Sequence, residues 1–119
     1  MGMHLLVDGY SADLKSLSSP SIVRGLLKTL PKSIGMTPIS RAKVIDYKAN
    51  NPKDSGVTGN IMLAESHITI HTFPTRGYVA IDVFSCKPFN TRLATAAMKK
   101  VFSMKKTYVK VIGRRMGDW

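Results

Sequence analysis

Three consecutive β-prone runs constrain the fold more than any other feature of the chain. They occupy residues 57–63, 66–73 and 78–85, and short connections join them. Runs rich in β-branched and aromatic residues are typical of strands, and Pro74–Gly77 supplies turn residues before the third run. Because such short turns join antiparallel neighbours, these runs predict the centre of an antiparallel sheet.

The remaining elements complete the sheet. Further strands are expected at residues 3–10, 38–48 and 108–112, and residues 49–56 have the turn chemistry of a loop. With two helices, the order becomes β-α-β-β-β-β-α-β. This order predicts an α+β fold, a two-layer sandwich in which helices cover one face of an antiparallel sheet.

Both expected helices have recognisable ends. The first is expected to begin at the cap formed by residues 18–21 and to stop at Pro31. The second is expected over residues 91–102, capped by Asn90. Its inward-facing residues are predicted to be Leu93, Ala97 and Val101.

Length and composition restrict the class of protein. A chain of 119 residues, 44% of them hydrophobic, suits one globular domain. The single cysteine, Cys86, excludes an internal disulfide framework and indicates a reducing compartment. No apolar run approaches the roughly 20 residues that cross a bilayer, and Asp8 interrupts the N-terminal apolar run too early for a secretion signal. We therefore expect a cytoplasmic protein with no membrane partner.

The chain is strongly basic. Its 18 Lys and Arg residues against 7 Asp and Glu give a formal charge of +11, which favours anionic partners without choosing among them. Much of the excess lies in residues 99–115, where no helix-turn-helix or ribonucleoprotein-type motif is present. A solvated basic face is the main interpretation, and nucleic-acid binding remains an alternative.

Two of the three histidines, His67 and His71, fall in one strand-like run. On a helix they would share a face at a spacing that metals use. The residues between them, Ile68 to Ile70, are all β-branched and favour a strand. Four strand residues span about 13 Å, too far for one metal ion, so no metal site is expected. Strand alternation places the isoleucines on one face and the histidines on the other.

Ser66 and His71 are a candidate nucleophile and base. In one straight strand, however, about 16 Å separates them. They can meet only if the chain turns sharply at Ser66, or if they come from different subunits. The alternative is an ordinary strand-edge serine and a structural histidine.

Four segments carry a family resemblance. They are Ala64–Pro74 (AESHITIHTFP), Gly77–Cys86 (GYVAIDVFSC), Gly56–Gly59 (GVTG) and Gly2–Leu6 (GMHLL). Together they closely resemble the short prokaryotic S-adenosylmethionine decarboxylases, over nearly the whole chain. The resemblance implies a single pyruvoyl-dependent decarboxylase domain, residues 1–119, that acts in polyamine biosynthesis.

The resemblance also implies that the chain makes its own cofactor. The Ser66 hydroxyl would attack the Glu65 carbonyl and convert the peptide bond to an ester, which is eliminated when the Ser66 α-proton is lost. The products would be a β chain, residues 1–65, and an α chain, residues 66–119, that begins with a covalent pyruvoyl group. This group would form a Schiff base with the substrate amine and accept the electrons released as carbon dioxide leaves.

Three further residues receive roles from the resemblance. His71 would be the acid or base of processing, assisted by the hydroxyl of Thr58, where family members carry serine. Cys86 would donate the proton in turnover, since a thiol with a pKa of about 8.5 is mostly protonated near neutrality. The alternative for Cys86 is a small buried core residue. Protomers of this family pair with their active sites at or near the interface, so a homodimer is expected.

Two departures from the family pattern concern the nucleoside. Family members carry a ribose-associated glutamate where this chain has Thr75, and a threonine cannot accept hydrogen bonds from both ribose hydroxyls. They also carry an adenine-stacking aromatic residue before the GVTG segment, where the nearest aromatic here is Tyr47. Phe73 takes the place of the usual tryptophan. Tyr47, Phe73 and Thr75 are therefore the candidate substrate-binding residues.

S-adenosylmethionine is the leading substrate, and arginine or ornithine is the alternative, because the cofactor residues are retained while the nucleoside-recognition residues differ. A cationic side chain would need an acidic partner, for which Asp54 and Asp82 are the nearest candidates in sequence. A non-enzymatic, nucleic-acid-binding module is a remote alternative, against which the intact set of Ser66, His71 and Cys86 argues.

Overall fold

The computed structural model describes residues 2–117. The helices and strands, in chain order, are β1 (Gly2–Tyr10), α1 (Leu14–Leu17), α2 (Pro20–Ser33), β2 (Lys43–Tyr47), β3 (Gly56–Leu63), β4 (Ser66–Phe73), β5 (Tyr78–Ser85), α3 (Thr91–Phe102) and β6 (Lys106–Arg114). Short 3₁₀ turns lie at Pro52–Asp54 and Pro74–Arg76. None of the helices within residues 2–117 has the length and apolar character needed to cross a membrane.

All six strands belong to one sheet with the order β2-β3-β4-β5-β1-β6, and every neighbouring pair is antiparallel. The three strands of the predicted centre, β3 to β5, are consecutive neighbours. The predicted α+β fold, an antiparallel sheet with helices, is confirmed. β4 lies near the middle of the sheet, with neighbours on both sides.

The helices cover one face of the sheet and enclose the core. Leu5, Leu27, Ile68, Ile70 and Phe102 are each 0% exposed. Full burial of such a side chain contributes roughly 1.5–3 kcal/mol, which explains why the isoleucines of β4, and not its histidines, face the helices. The other face of the sheet carries the histidines and has no covering element within residues 2–117.

The expected end of α2 at Pro31 is wrong, because the helix continues to Ser33. A proline removes one amide and crowds only the turn before it, and its fixed φ suits a helix. The residues after Pro31 therefore keep helical bonding, and the Ile34 amide donates to the Leu30 carbonyl at 3.2 Å. Pro31 itself is buried against the core.

The predicted inward face of α3 is displaced by one residue. Ala94, Met98 and Phe102 are fully buried, whereas Leu93 is 45% exposed. Ala97 and Val101 are partly buried and pack at the edge of the core. Turning Met98 and Phe102 inward removes more apolar surface from water than the predicted face would, and this difference favours the observed rotation.

The expected strand at residues 38–48 is only partly correct. β2 covers Lys43–Tyr47, and Pro38 forms an isolated bridge with Leu63. The residues between them leave the ladder. β6 is longer than expected, because its pairing with β1 continues from Lys106 to Arg114.

Candidate active site

The Glu65–Ser66 bond lies at the tip of the β3–β4 hairpin. Only Ala64 and Glu65 separate the two strands, and Leu63 pairs with Ser66. Glu65 is exposed, whereas Ser66 begins β4 and is only 9% exposed. The bond singled out by the sequence therefore joins an exposed turn to a buried strand end.

Residues 37–40, here called the clamp segment, hold this tip from the side of β3. The Ala64 amide donates to the Thr37 carbonyl at 2.9 Å. The Ile39 amide donates to the Met62 carbonyl at 3.0 Å. The clamp segment therefore extends the sheet beside the hairpin tip and restricts its movement.

Across the sheet, Ser66 pairs with Ser85 at the end of β5, and Cys86 follows directly. Residues opposite each other in an antiparallel pair have Cα atoms about 4.5–5.5 Å apart, so Cys86 lies beside Ser66. Cys86 is a half-buried free thiol. Ser85 is fully buried, and its hydroxyl accepts a hydrogen bond from the Lys87 amide at 3.2 Å. Sequence reasoning missed Ser85 because strand register, which sets it opposite Ser66, is not visible in one sequence.

His71 and Thr58 form a second polar group, on the uncovered face of the sheet. They lie opposite each other on β4 and β3, with Thr58 Oγ1 3.1 Å from His71 Nδ1. Both side chains are half-buried. Their hydrogen bond orients the imidazole ring and leaves its second nitrogen for proton transfer.

The structure does not bring Ser66 and His71 together within one chain. β4 is an unbroken strand from Ser66 to Phe73, so five residues separate the two positions by about 16 Å. An odd spacing in a strand also directs the two side chains to opposite faces. The chain does not turn sharply at Ser66, which removes one of the two ways in which the pair could meet.

His67 lies with an aromatic residue and not with metal-binding side chains. It is exposed, and its ring centroid is 5.5 Å from that of Phe84. Within residues 2–117, no three His, Cys, Asp or Glu side chains converge as a metal site would require.

Phe73 belongs to an aromatic cluster at the far end of β4. Its ring centroid lies 5.6 Å from that of Tyr78, which in turn lies 5.4 Å from that of Tyr10. The Tyr78 hydroxyl donates to Asp8 at 2.5 Å. Burial, and then this hydrogen bond, raise the pKa of Tyr78 well above its usual value, so the phenol stays neutral. Aromatic faces beside a carboxylate suit a cationic ligand.

Thr75 and the loop before β3 line one cavity of about 320 Å³. The loop contributes Pro52 and Ser55, so both departures from the family pattern fall at one place. Asp46 also lines the cavity, and no motif or spacing in the sequence had indicated it. Tyr47 does not line it and is 53% exposed.

The two carboxylates proposed for a cationic substrate already have basic partners. Asp54 lies 3.1 Å from the Arg76 guanidinium, and Asp82 lies 3.2 Å from Nε2 of His4. These contacts argue against both carboxylates as free partners for a substrate side chain.

Comparison with known proteins agrees with this arrangement. The sequence model described as "S-adenosylmethionine decarboxylase" matches residues 3–115. The S-adenosylmethionine decarboxylase proenzyme of Clostridium botulinum (strain Loch Maree / Type A3) is 33% identical over 114 residues, which cover 95% of this chain and 93% of the relative. That of Sulfurihydrogenibium sp. (strain YO3AOP1) is 38% identical over 86 residues, 72% of this chain and 60% of the relative.

The fold agrees as well. The crystal structure of the adenosylmethionine decarboxylase from Aquifex aeolicus superposes with a TM-score of 0.83 at 28% sequence identity, covering 99% of this chain and 93% of that one. Sequence and fold thus match over almost the full length described. The chain belongs to the S-adenosylmethionine decarboxylase family.

Proposed function

We propose that this chain is a self-cleaving, pyruvoyl-dependent decarboxylase of S-adenosylmethionine in polyamine biosynthesis. The observation that carries the proposal is the Glu65–Ser66 bond at an exposed hairpin tip with the Cys86 thiol beside it. Relatives that match 95% of the chain are named proenzymes, which supports a cleavage step. A free thiol that must stay reduced supports a cytoplasmic location.

Cleavage would begin at the chain's own hydroxyl. The Ser66 oxygen attacks the Glu65 carbonyl carbon, the C–N bond breaks, and an ester with a free Ser66 amine forms. A base then removes the Ser66 α-proton, and Glu65 leaves as a carboxylate. Water hydrolyses the remaining dehydroalanine to a pyruvoyl terminus and ammonia, giving chains of residues 1–65 and 66–119.

The residues around Ser66 fit such a terminus. Ser66 is the first residue of β4, so cleavage frees a strand end without breaking the strand. When formed, the ketone would withdraw electrons from the substrate's α-carbon as carbon dioxide departs. Cys86, beside that end, would supply the proton that replaces the carboxylate.

A complete site requires a second copy of the chain. Ser66 and Cys86 lie at one end of β4, whereas His71 and Thr58 lie about 16 Å further along it. A homodimer in which two uncovered sheet faces pack with opposed strands would bring each His71 to the partner's hairpin tip, where it would reach the backbone around the Glu65–Ser66 bond, since the Ser66 side chain itself faces the helices. The exposed apolar residues on that face, Ile45, Tyr47, Met62 and Tyr108, would be covered in it.

In such a dimer, each His71 would act on the partner's bond. Thr58 fixes the His71 ring at 3.1 Å, and the ring would remove the α-proton in processing. Thr58 carries a methyl group that the serine of the family pattern would lack, and this group adds bulk beside the ring. We expect processing to survive this change at a lower rate.

The cavity at Thr75 is the proposed place of the nucleoside. Asp46 lines it, and its Oδ1 lies 3.4 Å from the exposed Lys48 ammonium. The remaining lone pairs of this carboxylate would accept the hydrogen bonds of the ribose hydroxyls. Phe73 and its aromatic neighbours offer faces for the sulfonium cation. The alternative substrate, arginine or ornithine, is favoured by the lack of a carboxylate at Thr75 and of an aromatic side chain in the adjoining loop.

Release of labelled carbon dioxide tests the activity and separates the substrates. Purified protein is offered S-adenosylmethionine, arginine, ornithine and lysine separately, and the Ser66→Ala variant serves as the control for background release. We expect release from S-adenosylmethionine alone. Release from arginine or ornithine alone would establish the alternative, and no release from any of the four would contradict a decarboxylase.

A further inference from the structure

A cavity of about 490 Å³ opens between α2 and the residues that lead into β2, away from the residues discussed so far. Its walls are formed by Arg24 and Lys28 of α2 and by Ser40 and Arg41, over a floor that includes the buried Ile61. A volume of this size is within the range of small-molecule sites, about 300–1,000 Å³. The cavity is therefore large enough for a ligand of several functional groups.

Three cations face this cavity without a compensating carboxylate. No Asp or Glu occurs anywhere from Leu14 to Ile45. The ion pairs within residues 2–117 involve other residues, and the nearest acidic residue along β2, Asp46, lies 3.4 Å from Lys48. Like charges that converge on a concave surface raise the local concentration of anions.

One of the three cationic groups, and the segment beside it, are held in place before any ligand arrives. Arg24 and Lys28 lie one helical turn apart on the same side of α2. The Arg24 guanidinium donates to the Ala42 carbonyl at 3.1 Å, which fixes it at the cavity wall. The Ser40 hydroxyl accepts a hydrogen bond from the Met62 amide at 3.0 Å. Positions fixed in advance reduce the entropy lost on binding.

We propose that this cavity binds a small polyanion with two or more phosphate groups. Arginine presents a planar set of donors that matches phosphate oxygens, and lysine adds a compact charge. Two guanidinium groups and one ammonium suit a diphosphate better than a single phosphate or carboxylate. The half-enclosed shape favours a small molecule over a nucleic-acid strand.

Binding here would also stiffen the hairpin tip. Ser40 and its neighbours belong to the clamp segment, whose bonds to Met62 and Ala64 hold the tip. An anion that joins Arg41 to α2 therefore holds the clamp segment in place. Slower hydrogen exchange of the Ile39, Met62 and Ala64 amides would report this effect, and it does not depend on decarboxylation.

Isothermal titration calorimetry with inorganic pyrophosphate tests the site at low ionic strength. A Lys28→Gln, Arg41→Gln double variant removes two of the cations, and neither side chain makes a hydrogen bond within the described part of the chain. The control is a Lys100→Gln, Lys105→Gln variant, which removes the same charge from exposed residues at the end of α3 that do not line this cavity. We expect binding to weaken roughly tenfold or more in the first variant and to stay nearly unchanged in the control.

Titrations with other anions identify the class of anion that the cavity prefers. Inorganic phosphate should bind more weakly than pyrophosphate, and ATP should bind at the same residues if a nucleoside is tolerated. Equal losses in both double variants, or no binding of pyrophosphate, would overturn the proposal. So would an oligouridylate that binds more tightly than pyrophosphate and is insensitive to the Lys28→Gln, Arg41→Gln change.

Discussion

The two ends of β4 differ in their burial and in the chemical groups that surround them. At its start, Ser66 lies buried beside Ser85 and Cys86, at the tip of a tight hairpin. Toward its other end, His71 lies on the uncovered face beside Thr58, and Phe73 packs against Tyr78. One end has the groups that would become the reacting centre, and the other has those that would move a proton and hold a ligand. Under the proposed mechanism, one chain would therefore carry two separate halves of the site.

Ser66→Ala gives the largest expected effect. Without the hydroxyl at position 66 the ester cannot form, so the chain should remain intact and release no carbon dioxide. Mass spectrometry of the purified protein measures this directly. The matched control is Ser85→Ala, which changes the buried serine opposite in register and should leave cleavage in place. Cleavage of the chain after Glu65 in the Ser66→Ala protein would contradict the assignment of Ser66 as the precursor of the pyruvoyl group.

Mixed dimers test whether the two halves come from different chains. Ser66→Ala and His71→Ala chains should each stay uncut alone, the second because it lacks the proton-transfer group. When they are co-expressed, the His71→Ala chain should be cut, since its Ser66 meets the partner's intact His71. Mass spectrometry distinguishes the chains by their masses. If neither chain is cut in the mixture, His71 acts within its own chain or not at all.

Cys86→Ala separates the processing chemistry from turnover at the Ser66 end. Cleavage should proceed, because the thiol has no part in ester formation. Loss of a positioned general acid should lower kcat by roughly 10²–10⁴-fold. Steady-state carbon dioxide release measures the rate, and the Cys86→Ser variant controls for size. Unchanged turnover in Cys86→Ala would assign the proton to another group.

The fold was largely predictable because its central strands have strong local signals. Residues 57–63, 66–73 and 78–85 are close to the observed β3, β4 and β5. The rotation of α3 was not predictable, since Leu93 and Met98 are both apolar and only packing against the sheet chooses between them. α1 was missed because a four-residue helix has too little periodicity to detect.

In the candidate site, too, local sequence signals predicted some features, and contacts between distant segments determined the others. The alternation along β4 correctly placed His67 and His71 on the uncovered face and Ile68 and Ile70 toward the helices. Residues that are close in space but far apart in sequence were missed, among them Asp46, which lines the same cavity as Thr75. Such pairings depend on strand register and loop packing, which sequence periodicity does not encode.

Thr72→Val tests how firmly the second end of β4 is tied to the helical layer. The buried Thr72 hydroxyl donates to the Leu17 carbonyl at 2.7 Å and accepts from the Val57 amide at 2.9 Å. Valine would leave both groups unsatisfied and lower the free energy of unfolding by about 2–3 kcal/mol. Urea denaturation at fixed protein concentration measures this change. Thr69→Val, on the half-buried opposite face, should change it by less than about 0.5 kcal/mol.

Thr75→Glu gives the smallest expected effect and tests whether the cavity at Thr75 binds the nucleoside of the substrate. The change restores the carboxylate of the family pattern in the cavity that Thr75 and Asp46 line. One added hydrogen bond at a partly solvated position contributes about 1 kcal/mol, so KM for S-adenosylmethionine should fall roughly fivefold. Ser21→Glu, which adds the same charge on the exposed side of α2, controls for electrostatic attraction. A KM that does not change with Thr75→Glu would mean that Asp46 already serves the ribose, or that the cavity does not receive the nucleoside. Adding Asp46→Ala separates these, because only the first case predicts that KM then rises.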